Sequence, residues 1–187
     1  ASDVYKRQVS FTFKEIYQKS SNLASFFQNE LNLSQGERVA IMMPNILQYP
    51  ISTFGILKAG LIVENINPLY TARELETQLI NSKSETIIIL ENFAHLIEKI
   101  AHKTFIKNII ITTAGELLGT KGFLINFVLR KIKKKVPKYN IDHSYKFINT
   151  IKINNKYNLK SISSNLNDVA FLQYTGGTSG TIKAAML

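Results

Sequence analysis

Cysteine is absent from this chain, so neither a disulfide framework nor a thiolate metal site is available to it. No run of about 18 apolar residues occurs, which leaves nothing of the length a membrane-spanning helix needs. The first residues show neither an initiator Met nor a signal-peptide pattern. Together these absences fit a protein of the reducing cytoplasm. Histidine is scarce as well, and His95 and His102 lie seven apart, expected on one helix face. Metal ligation wants closer pairs and further ligands, so both read as structural or solvent-facing.

Acidic residues are few: 13 Asp and Glu stand against 23 Lys and Arg, for a net charge of +10. Such an excess invites a nucleic-acid or anionic-lipid partner. A competing source is visible in the composition. Ile, Lys and Asn, at 25, 19 and 17 residues, make up about a third of the chain, as AT-rich coding bias would produce. With 45% hydrophobic and 19% charged residues the chain reads as globular, and 187 residues suffice for one domain. Residues 1 to 8 carry no periodic pattern, resemble a translated adapter junction, and are excluded from fold reasoning.

What is present alternates. Thr12-x-x-Glu15 is a capping box ahead of a helical apolar series through residues 13 to 31. Val39 to Met43 is a short apolar run suited to a buried strand. Asn45 is expected to cap the next helix and Gly60 to close it, with Pro50 kinking it unless it falls in the first turn. Leu61 to Ile66 is a second strand, Thr71-x-x-Glu74 a second capping box, Glu85 to Leu90 a third strand, 93 to 102 a helix and Ile106 to Thr112 a fourth strand. Four strand–helix alternations predict an α/β fold with a largely parallel sheet. Gly115 to Gly122 reads as a loop. Residues 140 to 167 read as a connecting segment with weak alternation from Phe147 to Ile153, and Asp168 to Tyr174 is a last strand.

That strand runs into Tyr174-Thr-Gly-Gly-Thr-Ser-Gly-Thr-Ile-Lys183. Glycines take positive φ and let backbone N–H groups approach an anion. The hydroxyls of Thr175, Thr178, Ser179 and Thr181 can donate to phosphoryl oxygens, and Lys183 can supply positive charge. The order is neither that of a Walker A loop nor Gly-x-Gly-x-x-Gly. The segment reads as a phosphate cradle.

This loop resembles the signature of the AMP-forming acyl-adenylating ligases, Tyr/Phe-Thr-Ser/Gly-Gly-Thr-Thr/Ser-Gly-x-Pro-Lys-Gly. Within that superfamily the resemblance is closest to bacterial long-chain fatty acid–CoA ligases. It spans nearly all of residues 9 to 187 and is densest in Val39-Ala-Ile-Met-Met-Pro-Asn-Ile-Leu-Gln-Tyr-Pro50, Phe54-Gly-Ile-Leu-Lys-Ala-Gly60, Asn65-Ile-Asn-Pro-Leu-Tyr-Thr71 with Arg73-Glu-Leu75, and Phe171-Leu-Gln-Tyr-Thr175. Ile182 and Ala184 depart from the pattern. A positive φ at Ala184 would cost on the order of 1 kcal/mol. The resemblance implies that residues 9–187 are the first part of an N-terminal AMP-binding domain, whose C-terminal domain and motifs for adenine, Mg²⁺, CoA and the adenylation lysine lie beyond Leu187.

The resemblance further implies a ligase that activates a long-chain fatty acid with ATP and Mg²⁺ through an acyl-adenylate and then joins it to CoA. Tyr174, Thr175, Gly176, Gly177, Thr178, Ser179, Gly180, Thr181 and Lys183 are implied to hold the ATP phosphates. No metal ligand or catalytic residue is assigned within this chain. Two alternatives stay open: a sibling adenylating enzyme, such as an aryl-CoA ligase or a peptide-synthetase adenylation module, and a non-catalytic remnant that binds a membrane or partner. The remnant reading rests on Phe123 to Lys138. There Phe123, Leu124, Phe127, Val128, Ile132 and Val136 form an apolar stripe beside Arg130, Lys131, Lys133, Lys134, Lys135 and Lys138. Such a basic amphipathic helix suits either an anionic membrane surface, peripheral at the inner face of the cell membrane, or a solvated domain surface. Without an aromatic platform or recognition fold, nucleic acid is not expected.

Overall fold

The computed structural model describes residues 9–152, 158–175 and 183–187. Seven strands form one sheet in the order β5-β4-β3-β1-β2-β6-β7. They are β1 (Arg38–Met42), β2 (Ile62–Asn65), β3 (Thr86–Leu90), β4 (Asn108–Thr112), β5 (Tyr145–Lys146), β6 (Phe171–Thr175) and β7 (Lys183–Met186). Every pairing is parallel except β6 with β7. The expected α/β fold with a mostly parallel sheet is therefore present.

Six helices accompany the strands among the described residues: α1 (Phe13–Asn29), α2 (Gln48–Lys58), α3 (Ala72–Ser82), α4 (Ala94–Ile100), α5 (Thr120–Phe127) and α6 (Phe147–Thr150). Side chains alternate across the pleat. Val39, Ile41, Met43, Val63, Ile88 and Ile110 join Leu23 and Phe27 of α1, Ile51 and Ile56 of α2 and Phe147 of α6 in one core. Ala40, Met42, Ile87, Ile89 and Ile109 join Leu75 and Leu79 of α3 and Ile97 of α4 in the other. Covered on both faces, the central strands favour apolar residues on either side, which is why Val39–Met42 of β1 and Ile87–Leu90 of β3 read as apolar runs.

Local chemistry sets the helix ends. The Thr12 and Thr71 hydroxyls accept from the backbone N–H of Glu15 and Glu74, whose carboxylates accept from the cap residues' own N–H at 2.8 Å in both cases. Helix α2 closes in a Schellman arrangement: Gly60, at φ +78°, donates to Leu57 O and Leu61 donates to Ile56 O. Pro50 is the third residue of α2, inside the first turn, where its missing N–H breaks no helical bond.

Three expectations need correction. Asn45 does not cap α2; the helix begins after Leu47 with no side-chain cap. The weak alternation from Phe147 is a helical turn instead, because Phe147, Thr150 and Ile151 are the buried positions, a spacing of three and four that no strand provides. The basic segment becomes helical at Thr120, not Phe123, passes into a π-helical turn at Val128–Ile132, and stops before Lys138, with Lys134 at a left-handed φ of 47°. The expected loop 115–122 is accordingly shorter. A Cβ on Gly115 or Gly122 would run into the other's carbonyl group, so this close approach requires both glycines.

Candidate nucleotide site

Strands β6 and β7 form an antiparallel pair in which Thr175 stands opposite Lys183 and Tyr174 opposite Ala184. The segment expected to cradle phosphate thus begins at the C-terminal end of β6 and ends at the start of β7. Ligands of open α/β sheets sit outside that edge. Of the implied phosphate-binding residues, Tyr174, Thr175 and Lys183 are placed on these strands. Gly176, Gly177, Thr178, Ser179, Gly180 and Thr181 lie outside the described residues, as does Ile182.

Ala184 lies within β7. Among the described non-glycine residues, only Asn32, Lys83 and Lys134 have positive φ. The condition under which Ala184 would be strained, a positive φ, is therefore not met, since an extended residue carries a Cβ at no such cost.

Two side-chain networks lie at β2, one on each face of the sheet, and the one on the α2 face fastens it to its neighbour β6. On the α2 face, Tyr49 Oη donates to Asn65 Oδ1 at 2.9 Å and Asn65 Nδ2 donates to Gln173 Oε1 at 3.1 Å. On the α3 face, Glu64 is fully buried, accepting from Gln78 Nε2 at 2.8 Å and from the Ser84 hydroxyl. Burial pushes its carboxyl above the ordinary carboxylate value, against the opposing pull of the Ser84, Gln78 and Ser82 hydrogen bonds and the Arg38 charge. The Tyr174 phenol is pushed up by burial first and by Glu64 second, while Arg38 and a hydrogen bond with Ser82 pull it down. Its ring therefore belongs to the α3-side network.

Between these networks, at the C-terminal ends of β1, β2 and β6, lies an open cleft of about 460 Å³ lined in part by Asn65, Tyr70, Gln173 and Tyr174. Tyr70 thus borders the site, whereas Arg73 lies exposed in the first turn of α3. The histidines do not share a helix face. His95 is in α4 and His102 in a separate 3-10 turn, Ala101–Lys103. Among the described residues no group of three or more His, Cys, Asp or Glu could hold a metal ion.

Sequence reasoning missed Asn65, Gln173 and Glu64. One signal was available for Glu64, a lone acid inside the apolar run 61–66. For Asn65 and Gln173 no local signal exists, because their contact is made across strands 108 positions apart.

The mostly parallel sheet agrees with the family comparison. The AMP-binding enzyme family model matches residues 2–187. The chain belongs to the AMP-binding enzyme family. It is 48% identical over 179 residues to a long-chain-fatty-acid–CoA ligase of Escherichia coli O157:H7, covering 94% of this chain and 32% of the relative. It is 35% identical to the Bacillus subtilis strain 168 ligase of that description, with 94% and 31% covered. The chain spans about a third of the length of these curated relatives. Among solved structures, an anthranilate CoA ligase bound to anthranoyl-AMP superposes with a TM-score of 0.74 at 21% identity, covering 94% of this chain and 29% of that one. A long-chain-fatty-acid-CoA ligase from Archaeoglobus fulgidus gives 0.71 at 22%, with 95% and 30% covered. At those identities the likeness is one of fold.

Proposed function

We propose that this chain forms the first part of an ATP-dependent long-chain fatty acid–CoA ligase, and that segment 174–183 holds the ATP phosphates. The observation that carries the reading is the high identity to such ligases across almost the whole chain. The paired strands β6 and β7, which deliver the segment to the C-terminal edge of the sheet, support it. In this reaction the fatty carboxylate attacks the α-phosphate, pyrophosphate leaves, and the CoA thiol then displaces AMP from the acyl-adenylate. The loop's backbone N–H groups and hydroxyls, with Lys183, would stabilise charge on the departing pyrophosphate. An ionised carboxylate needs no general base. Mg²⁺ would accompany ATP, with its ligands outside the described residues of this chain.

A ligase of membrane-derived acids is proposed to work peripherally at the inner membrane face. No helix among the described residues is long and apolar enough to cross a bilayer, and the chain's excess of Lys favours an anionic surface.

ATP–pyrophosphate exchange tests the chemistry in the enzyme completed by the reading frame beyond Leu187. Palmitate should support exchange, and Lys183→Ala should lower it at least tenfold without changing the thermal melt. Exchange with aryl or amino acids alone would overturn the substrate assignment. An unchanged rate in the variant would remove Lys183 from the phosphate site.

A further inference from the structure

The α5 segment is amphipathic in the reverse sense. An ordinary surface helix turns its apolar stripe to the core and its polar face to water. In α5 and the π-helical turn after it, Gly122 is the buried residue, while Phe123, Leu124, Phe127 and Ile132 are 80%, 63%, 48% and 67% exposed. What fastens the segment to the domain is polar. Arg130 Nε and Nη2 both donate to Glu91 Oε2, at 2.8 and 2.6 Å. Asn126 accepts from Gly115 N at 2.8 Å and donates to Thr113 Oγ1 at 2.9 Å. Asn92 Nδ2 donates to Lys135 O at 3.0 Å.

Charge is sorted in the same way. No Asp or Glu occurs between Glu116 and Asp142. The acids near the segment are engaged: Glu91 is 1% exposed, Glu116 Oε2 accepts from Thr112 Oγ1 at 2.6 Å, and the exposed Glu98 accepts through Oε1 from Asn140 N at 3.1 Å. Lys131, Lys133, Lys134, Lys135 and Lys138 are exposed, and none of them is in an ion pair among the described residues. A ridge of exposed aromatic and aliphatic side chains is therefore bordered by cations alone.

We infer that the α5 ridge is the surface by which this protein docks on an anionic lipid bilayer. Phe123, Leu124, Phe127 and Ile132 enter the acyl boundary, and Lys131 and Lys133–Lys135 lie among the headgroups. Charge complementarity selects this occupant. An acidic protein partner would satisfy the lysines but not the exposed Phe123, Leu124, Phe127 and Ile132, whereas an anionic bilayer receives apolar groups and cations together. The polar latch explains how the ridge can face outward: Arg130 and Asn126 hold the helix where packing does not. Because α5 follows β4, it leaves the same C-terminal edge of the parallel sheet as the phosphate segment after β6. An acid drawn from the bilayer thus arrives on the nucleotide side. The inference rests on the peripheral placement proposed above, and its test does not require ligase turnover.

Flotation with phosphatidylglycerol-containing and with pure phosphatidylcholine vesicles, at low and high salt, tests it, with thermal melts of every variant. Anionic vesicles should bind the chain, and neutral ones should bind it weakly. Lys133→Gln, Lys134→Gln and Lys135→Gln together should lower binding about a hundredfold at low salt. Phe123→Ser with Phe127→Ser should lower it at least tenfold at either salt. Lys146→Gln, Lys152→Gln and Lys160→Gln together, away from the ridge, should change it less than threefold. Binding that survives both ridge variants, or that the control set weakens equally, overturns the inference and leaves the peripheral placement standing. No binding to anionic vesicles overturns both, and concentration-dependent self-association abolished by Phe123→Ser would then assign the ridge to a second copy of the chain.

Discussion

Asn65 Nδ2 donates to Gln173 Oε1 at 3.1 Å, joining the end of β2 to a residue one position before the phosphate segment begins. Since Tyr49 of α2 donates to the same asparagine at 2.9 Å, one amide links a helix and two strands at the mouth of the cleft. This contact acts on the position of β6 rather than on any substrate atom.

In the full-length ligase proposed above, Asn65→Leu should therefore raise KM for ATP threefold to tenfold, the range set by one or two hydrogen bonds of ordinary net worth. The maximal rate should change less, and Tyr49→Phe should give a smaller effect in the same direction. An unchanged KM would show that β6 is held by its backbone ladder alone.

Buried Glu64 makes stability depend on pH. Its folded-state pKa is raised from 4.5, mainly by burial, so the folded protein keeps the proton after the unfolded chain has lost it. Stability should then fall as pH rises from the ordinary carboxylate value up to the folded value, and level off above it. Glu64→Gln keeps an acceptor for Gln78, replaces the oxygen that accepts from Ser84 with an N–H to which the Ser84 hydroxyl can turn as acceptor, and cannot titrate. Urea melts across pH should be flatter for the variant, which should gain relative to the parent as pH rises. Parallel curves would mean that Glu64 does not titrate in that range.

Ala184→Gly should not improve ATP affinity, because Ala184 is an extended residue of β7. Glycine in a strand instead costs roughly 0.5–1 kcal/mol, visible as a lower melting temperature. Tighter ATP binding by the glycine variant would contradict the strand assignment.

Thr71→Ala should destabilise the domain by about 1 kcal/mol through loss of the α3 cap. The carboxyl of Glu74 is held below its ordinary value first by the Thr71 backbone N–H and second by the Thr71 hydroxyl. That stabilisation is present above the ordinary carboxylate range and is lost as pH falls through the lowered value. The deficit of the variant should accordingly shrink in acid, and a deficit constant with pH would restrict the effect to the hydroxyl's bond with the Glu74 N–H.

Much of the architecture is local chemistry and was legible as such. Thr12 with Glu15 and Thr71 with Glu74 announce two helix starts, because a capping box is satisfied within four residues. Gly60 announces a helix end because the Schellman turn needs a positive φ at one position. The apolar runs Val39 to Met43 and Ile87 to Leu90 specify buried strands, since a sheet covered on both faces admits few polar side chains. The residue types of 174–183 carry the proposal of anion chemistry made above. Tertiary structure decided the rest. Sheet order, the pairing of Asn65 with Gln173 and the burial of Glu64 against Gln78 and Ser84 depend on which strands become neighbours. No window of sequence contains both partners. The orientation of α5 belongs to the same class: its apolar stripe is plain in the sequence, and periodicity alone would turn it inward. It faces outward because Glu91, 39 positions earlier, holds Arg130 on the inner side.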